Sequence, residues 1–281
     1  MQKIAISADS TCAISQEKAK ELGLFILPLN VIVDGNEYHD GIDIDNITLA
    51  KFMRGGSDIK TSTPTPYELE NFFDNILSKG YDKVIHFTIS NKLSSIYDMF
   101  TIQCKEKYGD KVIIVNSLSV CSFMGNIVLN ALNLVKEGKD VDYILNDCKQ
   151  HIGVEDIFFI PESLTFLKKG GRVSPTVAAI GNLLGIKPVL KFVNGEIQKC
   201  DTTRSLKKYI STIFDHYKTQ NYDPKEYEIH IVEFDCGIQT KLLQNAVQSE
   251  FSEYEIKTTP ISINVCAHCG PGTIGIGFTK K

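Results

Sequence analysis

No apolar run in this sequence approaches the ~18 residues that a membrane-crossing helix needs, which argues against a transmembrane protein. The opening Met1-Gln2-Lys3-Ile4-Ala5-Ile6-Ser7-Ala8-Asp9 turns polar after a few apolar positions and carries no small-residue cleavage site. A signal peptide needs a longer apolar stretch and such a site, so the expected location is cytoplasmic. Positive charge is not in excess: 30 Lys plus Arg stand against 34 Asp plus Glu, a formal net charge of -4. That balance argues against nucleic-acid binding and against a polybasic membrane patch. Transient contact with a membrane stays open. Glycine and proline are modest, at 20 and 9 residues, which excludes collagen and most low-complexity classes. There is no P-loop and no G-x-S-x-G nucleophile elbow. Their absence weakens the readings of an ATP-hydrolysing enzyme and of an α/β-hydrolase.

What is present fits an ordinary globular chain. Hydrophobic residues make up 43% and charged residues 23% of the 281 positions. Such a chain can bury a full core, and its length suggests roughly two domains. The eight cysteines are scattered through expected helices and strands. Without an export signal they read as reduced thiols.

Strands alternate with helices over the first ~155 residues, which predicts a parallel sheet with right-handed crossovers. Strands are expected at 3–8, 25–33, 84–89 and 111–115, and helices at 16–22, 96–108, 118–137 and 140–152. Residues 61–66 read as a polar loop. Thr65, Pro66 and Glu68 then form an N-cap, an N1 proline and a capping box for a helix to about residue 78. The second part differs. Ser174-Pro175 predicts a helix to about Leu184. Asn194-Gly195 between 187–193 and 196–200 is a strong hairpin signal. A helix at 205–217, a strand at 228–233, a helix at 238–250 and a strand at 274–278 follow. The expected architecture is a parallel-sheet α/β domain over residues 1–155 and a mixed α+β domain with an antiparallel component over 156–281.

Several short motifs invite chemistry. Gly270-Pro271-Gly272-Thr273-Ile274-Gly275 matches the dinucleotide fingerprint in letters, but only six residues follow it, so it reads as a tight turn. Cys266-Ala267-His268-Cys269 has no second ligand pair for structural zinc. No metal and no cofactor are expected. The hydroxyl-rich segments Thr61-Ser62-Thr63 and Ser90 with Ser94-Ser95 each precede a helix. Free N–H groups and hydroxyls there suit a small, singly charged head such as a carboxylate, with plain helix capping as the alternative. Leu167-Lys168-Lys169-Gly170-Gly171-Arg172 reads as a helix C-terminus with cations on its dipole. With Arg204, it also offers a basic surface for docking or phosphate contact.

In order along the chain stand Asp9-Ser10-Thr11, Thr61-Ser62-Thr63-Pro64, Leu93-Ser94-Ser95-Ile96-Tyr97 and Leu167-Lys168-Lys169-Gly170-Gly171-Arg172-Val173-Ser174. Gly185-Ile186-Lys187-Pro188-Val189-Leu190 and His268-Cys269-Gly270-Pro271-Gly272 follow. Over essentially its whole length the chain resembles the DegV family, the fatty-acid-binding carrier subunits of bacterial fatty acid kinase. The resemblance implies two domains with one long-chain fatty acid between them. It places the carboxylate on Thr61 and Ser94, with Ser62 and Ser95 beside them and His268 as the head-group histidine. It puts the acyl chain in a tunnel of the second domain, for which 177–190 and 263–278 are candidate walls. It also implies a separate ATP-dependent kinase subunit as partner, with Arg172 and Arg204 contacting that kinase or the acyl phosphate. The protein would then be a carrier without catalysis of its own, feeding lipid synthesis.

The chain departs from the family pattern at three places. Thr63 stands for Gln, Ser95 and Ile96 stand for Gly and Thr, and Asn116-Ser117 stands for Asp-Ser. Two alternatives remain at this stage. One is a hydrolase or acyl- or phosphoryl-transfer enzyme with Ser94 as nucleophile, His268 as base and Asp9 as orienter. The other is a lipid sensor or storage module with no kinase partner.

Overall fold

The computed structural model describes residues 2–173, 177 and 186–281. The first half runs β1 (Ile4–Asp9), α1 (Gln16–Leu22), β2 (Phe25–Leu27), β3 (Asn30–Val33), β4 (Asn36–His39), α2 (Asn46–Arg54) and β5 (Ile59–Ser62). It continues with α3 (Pro66–Ser78), β6 (Lys83–Thr88), α4 (Ile96–Tyr108), β7 (Val112–Asn116), α5 (Cys121–Lys136) and α6 (Val141–Cys148). The second half contributes β8 (Asp156–Ile160), α7 (Thr165–Gly170), β9 (Lys187–Val193), β10 (Glu196–Thr203) and α8 (Leu206–Lys218). It closes with β11 (Tyr227–Phe234), α9 (Ile238–Glu250), β12 (Ile256–Pro260), α10 (Ile263–Cys269) and β13 (Thr273–Lys280). No described helix is long and apolar enough to cross a membrane.

The fold is α/β, with a parallel sheet and a separate mixed sheet. The parallel sheet has the order β2-β1-β6-β7. Every residue of β1 is buried, as expected for a strand covered on both faces by helices. The mixed sheet has the order β10-β9-β8-β13-β11-β12, antiparallel except for β11 beside β12. A third, antiparallel sheet, β4-β3-β5, sits apart from both. One apolar core joins the halves: Val31, Leu49 and Met53 pack in the same cluster as Phe192, Val232 and Ile261.

Local signals explain much of this. Thr65 and Glu68 cap α3 reciprocally, with Pro66 at its first position. Asn194 and Gly195 form a two-residue turn with φ of 49° and 83°. Both angles are left-handed, the backbone that this hairpin connection requires.

Other expectations are corrected. The apolar stretch 25–33 is not one strand. It breaks at Pro28-Leu29, so β2 joins the parallel sheet and β3 the small antiparallel one. Proline lacks the N–H that a continuous ladder needs. Thr61 and Ser62, expected in a loop, end strand β5, which pairs with β3. Helix α10 and strand β12 were not anticipated. The helix expected over 174–184, but for Val177, and with it most of the proposed 177–190 tunnel wall, lies outside the described residues.

Two buried features yield tests. His86 on β6 sits among Phe72, Phe73 and Phe100, with Nδ1 2.9 Å from Ser7 Oγ. Burial pushes its pKa down from 6.5 to about 3. Between those values the unfolded chain binds a proton that the native chain refuses. The stability contributed above pH 6.5 is therefore lost as pH falls toward 3. In urea unfolding, His86→Phe should lose less stability than the parent between pH 7 and pH 5, by about 2 kcal/mol. Parallel pH profiles would clear His86 of this role. Among the eight thiols only Cys200 is exposed, at the irregularity in β10 between Lys199 and Asp201. The native protein should therefore release one equivalent in a thiol titration with a chromogenic disulfide, and eight after denaturation. Rapid reaction of more than one native thiol would contradict the arrangement.

Candidate functional site

A cavity of about 150 Å³ lies between the parallel-sheet half and the six-stranded sheet. One part of its wall is Leu29, Ile89, Ile96, Leu93 and Val265, from the core of the parallel sheet. The other part is Phe123, Ile157, Phe192, Val232 and Ile261, from the core shared by both halves. The lining thus comes from both halves, and Val265, His268, Cys269 and Thr273 in it belong to the candidate wall 263–278.

Six of the polar lining residues come from four distant segments. Thr61 and Ser62 lie on β5, where they pair with Val31 and Asn30. Ser94 and Ser95 occupy the turn before α4. His268 lies in the last turn of α10. Arg172 follows α7, whose end is set by Gly171 in the left-handed region with φ of 68°. All six line the cavity.

Contacts knit these residues together. Thr61 Oγ1 lies 2.9 Å from His268 Nε2. Arg172 Nε donates to the Leu93 carbonyl at 3.3 Å, and another of its N–H groups donates to the Gly170 carbonyl. Gly170 is pressed against the imidazole, where a Cβ would run into His268 Nδ1. Ser94 Oγ accepts from the Ile96 N–H at 3.3 Å, so its own O–H is free to donate. Ser95 is exposed at the rim, with its Oγ 3.6 Å from Met99 Sδ.

Burial, and then the Arg172 charge, push His268 down from 6.5 to about 4. At neutral pH it is an uncharged imidazole. With its proton on Nε2 it donates to Thr61, which leaves the Thr61 O–H to point at a ligand. The site therefore offers neutral donors and one guanidinium. That combination suits a single carboxylate. Beside it a second cleft shares Thr61, Arg172 and His268 and is edged by Lys60 and Lys169. Both lysines pair with Asp58.

Helix α10 is held from the first half. Asp40 Oδ2 accepts from the Asn264 N–H at 3.1 Å and from Ser10 Oγ at 2.9 Å, and Asn264 Nδ2 donates to the Asn30 carbonyl. Burial pushes Asp40 up from 3.8 to about 6. This is how a residue near the C-terminus reaches β5.

A profile of the family described as "Uncharacterised protein, DegV family" matches residues 3–281. The chain belongs to the DegV family. A DegV domain-containing protein of Clostridium acetobutylicum is 32% identical, with all of both chains covered. Another, from Caldanaerobacter subterraneus subsp. tengcongensis, is 29% identical with the same full coverage. Among solved structures, a DegV family protein from Thermus thermophilus, described by its fatty acid binding, superposes with a TM-score of 0.91 at 25% identity over 100% of each chain. A fatty acid binding DegV family protein from Streptococcus agalactiae gives 0.90 at 26%, again over 100% of each chain.

In this DegV chain the sequence-predicted residues Thr61, Ser62, Ser94, Ser95, His268 and Arg172 meet at the cavity. Arg204 does not. It is exposed between β10 and α8 and is not among the lining residues. The constellation of Ser94, His268 and Asp9 is not wired as a triad. His268 Nε2 faces Thr61, while Asp9 accepts from Thr11 and from the Ile89 N–H. Asn264 and Val265, also in the lining, were not foreseen as individual site residues. The Asp40–Asn264 contact spans 224 residues, and no sequence signal marks it. The Gly270-Pro271-Gly272 turn leads into a strand, with both glycines at φ of 80°. Cys266 and Cys269 turn their thiols to backbone carbonyls. Among the described residues the one gathering of three metal-capable side chains is Glu37, His39 and Glu68, at the surface.

Proposed function

We propose that this protein binds one long-chain fatty acid non-covalently, with the carboxylate on Thr61, Ser94 and His268 and the chain in the apolar cavity. The observation that carries this reading is the meeting of those hydroxyls, a neutral imidazole and Arg172 at a largely apolar cavity. Ser62 and Ser95 complete the head-group surround. Burying ~14 methylenes at ~0.8 kcal/mol each gives a gross drive of about 11 kcal/mol before ordering costs. That outweighs desolvation of one carboxylate when several donors meet it. The fatty acid binding described for the Thermus thermophilus and Streptococcus agalactiae proteins supports the same reading.

In this reading two lobes, residues 1–155 and 156–281, enclose the ligand between them. The protein is a carrier and not a catalyst. It presents the carboxylate at the cleft edged by Lys60 and Lys169, where a separate ATP-dependent kinase subunit converts it to acyl phosphate. Arg172 and the outlying Arg204 then serve the head group and the kinase contact respectively. Native mass spectrometry of freshly purified protein, followed by lipid identification after denaturation, tests the first step. A mass excess resolving to one fatty acid is the expected result. A ligand-free mass with no uptake of added C14 to C18 acids would overturn it. Acyl phosphate formed only when protein, kinase and ATP are combined tests the second step. No product with any cognate kinase would leave a sensor or storage role in its place.

A further inference from the structure

The β9–β10 hairpin forms the edge of the six-stranded sheet, and β10 has no strand on its outer side among the described residues. Pairing of β8 with β9 stops at Phe192, so the turn at Asn194-Gly195 projects past the sheet. Phe192 and Ile197, one on each strand, line the cavity. What meets the projecting turn is Ser90, a fully buried residue of the other half. Its Oγ donates to the Gly195 carbonyl at 2.7 Å and accepts from the Lys92 N–H at 3.2 Å. Its carbonyl accepts from the Leu93 and Ser94 N–H groups at 3.0 and 3.2 Å. Its own N–H donates to the Ser119 carbonyl at 3.0 Å. Gly195 is required twice over: its φ is 83°, and a Cβ there would strike Ser90 Oγ and lie 3.0 Å from Leu118 Cδ2.

We propose that Ser90 is a positioning residue that latches the β9–β10 hairpin over the cavity and, through the same residue, holds the turn that presents Ser94. Closure over the chain and presentation of the head-group hydroxyl are then mechanically joined. The hairpin is hydrogen-bonded to the sheet along the β9 edge and packs Phe192 and Ile197 into the shared core, and the Ser90 contact is the polar restraint at its tip. An opening hairpin takes Phe192 and Ile197 out of the wall and leaves the Ser90 hydroxyl, which also serves the Lys92 N–H, without its acceptor. The role in ligand retention rests on the fatty-acid reading above. The latch itself does not.

Two measurements on the full chain separate these. Hydrogen exchange of the ligand-free protein is followed over residues 193–197 and over β1 and β6. Ser90→Ala should exchange several-fold faster at the hairpin tip and at the parental rate in β1 and β6. Gly195→Ala should do the same by another route, because its Cβ would strike Ser90 Oγ and its φ of 83° disfavours a side chain. Release of a fluorescent C18 polyene fatty acid to excess phospholipid vesicles is followed in parallel. Loss of one hydrogen bond should speed release about three- to tenfold in Ser90→Ala. Ser94→Ala, the comparison variant, should bind more weakly with hairpin exchange unchanged. Parental exchange at the tip, or a uniform rise across all peptides, would overturn the latch. Altered tip exchange with parental release would overturn its role in retention. If the parent binds no fatty acid, the functional reading falls while the exchange result still decides the latch.

Discussion

Thr61→Val and Ser94→Ala should each weaken binding of a C16 or C18 fatty acid about ten- to hundredfold. Each removes a hydroxyl donor from a charged acceptor, an interaction worth about 1.5–3 kcal/mol. Thr61→Val keeps the side-chain shape, so the strand pairing of β5 with β3 has no reason to change. It also strips His268 Nε2 of its 2.9 Å partner, so the imidazole loses its orientation along with the ligand's donor. Ser94→Ala leaves His268 alone and removes the acceptor of the Ile96 N–H. Isothermal titration with the free acid and with its methyl ester checks both. Against the ester, which carries no charge, the variants should approach the parent. Equal losses against acid and ester would place the defect in the chain cavity and remove these hydroxyls from the head-group assignment. Because His268 is held near 4 by burial and Arg172, it stays neutral on going from pH 8 to pH 6. Its contribution over that range should therefore be flat with pH. A steep rise in affinity below pH 7 that vanished in a His268→Asn variant would argue for a charged imidazole instead.

Val232→Phe should abolish binding of long acids while leaving the empty protein folded. Val232 lies on β11, with its side chain in the cavity wall and at 5% exposure. A phenyl ring there occupies space that an acyl chain of the proposed ligand would need. Filling an apolar void and overpacking act in opposite directions on stability, with overpacking costing about 1–3 kcal/mol. The readout is therefore the ligand-induced shift in melting temperature, not the melting temperature itself. The parent should melt higher with added C18 acid, as any native-state ligand requires. The variant should show no such shift. A retained shift would mean that the ligand lies elsewhere.

Parts of this protein are legible without coordinates. The capping box at Thr65 and Glu68 and the hairpin at Asn194-Gly195 are local devices, set by residues that touch their near neighbours in sequence. The alternation of strands and helices in the first half is equally local, because period and capping are read along a single element. The hydroxyl and basic motifs, taken in order, pointed to the DegV family, and that reading stands. The sequence by itself thus determined the fold class, the family and six of the polar residues that line the cavity.

What it did not determine depends on distance along the chain. Residues 25–33 look like one strand because apolar residues satisfy either sheet, and only packing decides that β2 and β3 part company. Thr61 and Ser62 read as the start of a loop because they open a polar run ending in Pro64 and Pro66, yet β3 supplies the partner that makes them the end of a strand. Seven residues of α10 bring His268 to Thr61, held there by Asp40 and Asn30 from more than 200 positions away. The neutral state of His268 follows from burial and from Arg172, neither of which a spacing rule can show. Tertiary structure alone decided these points, since a buried hydrogen bond or a displaced pKa depends on which atoms meet and not on how far apart they lie in sequence.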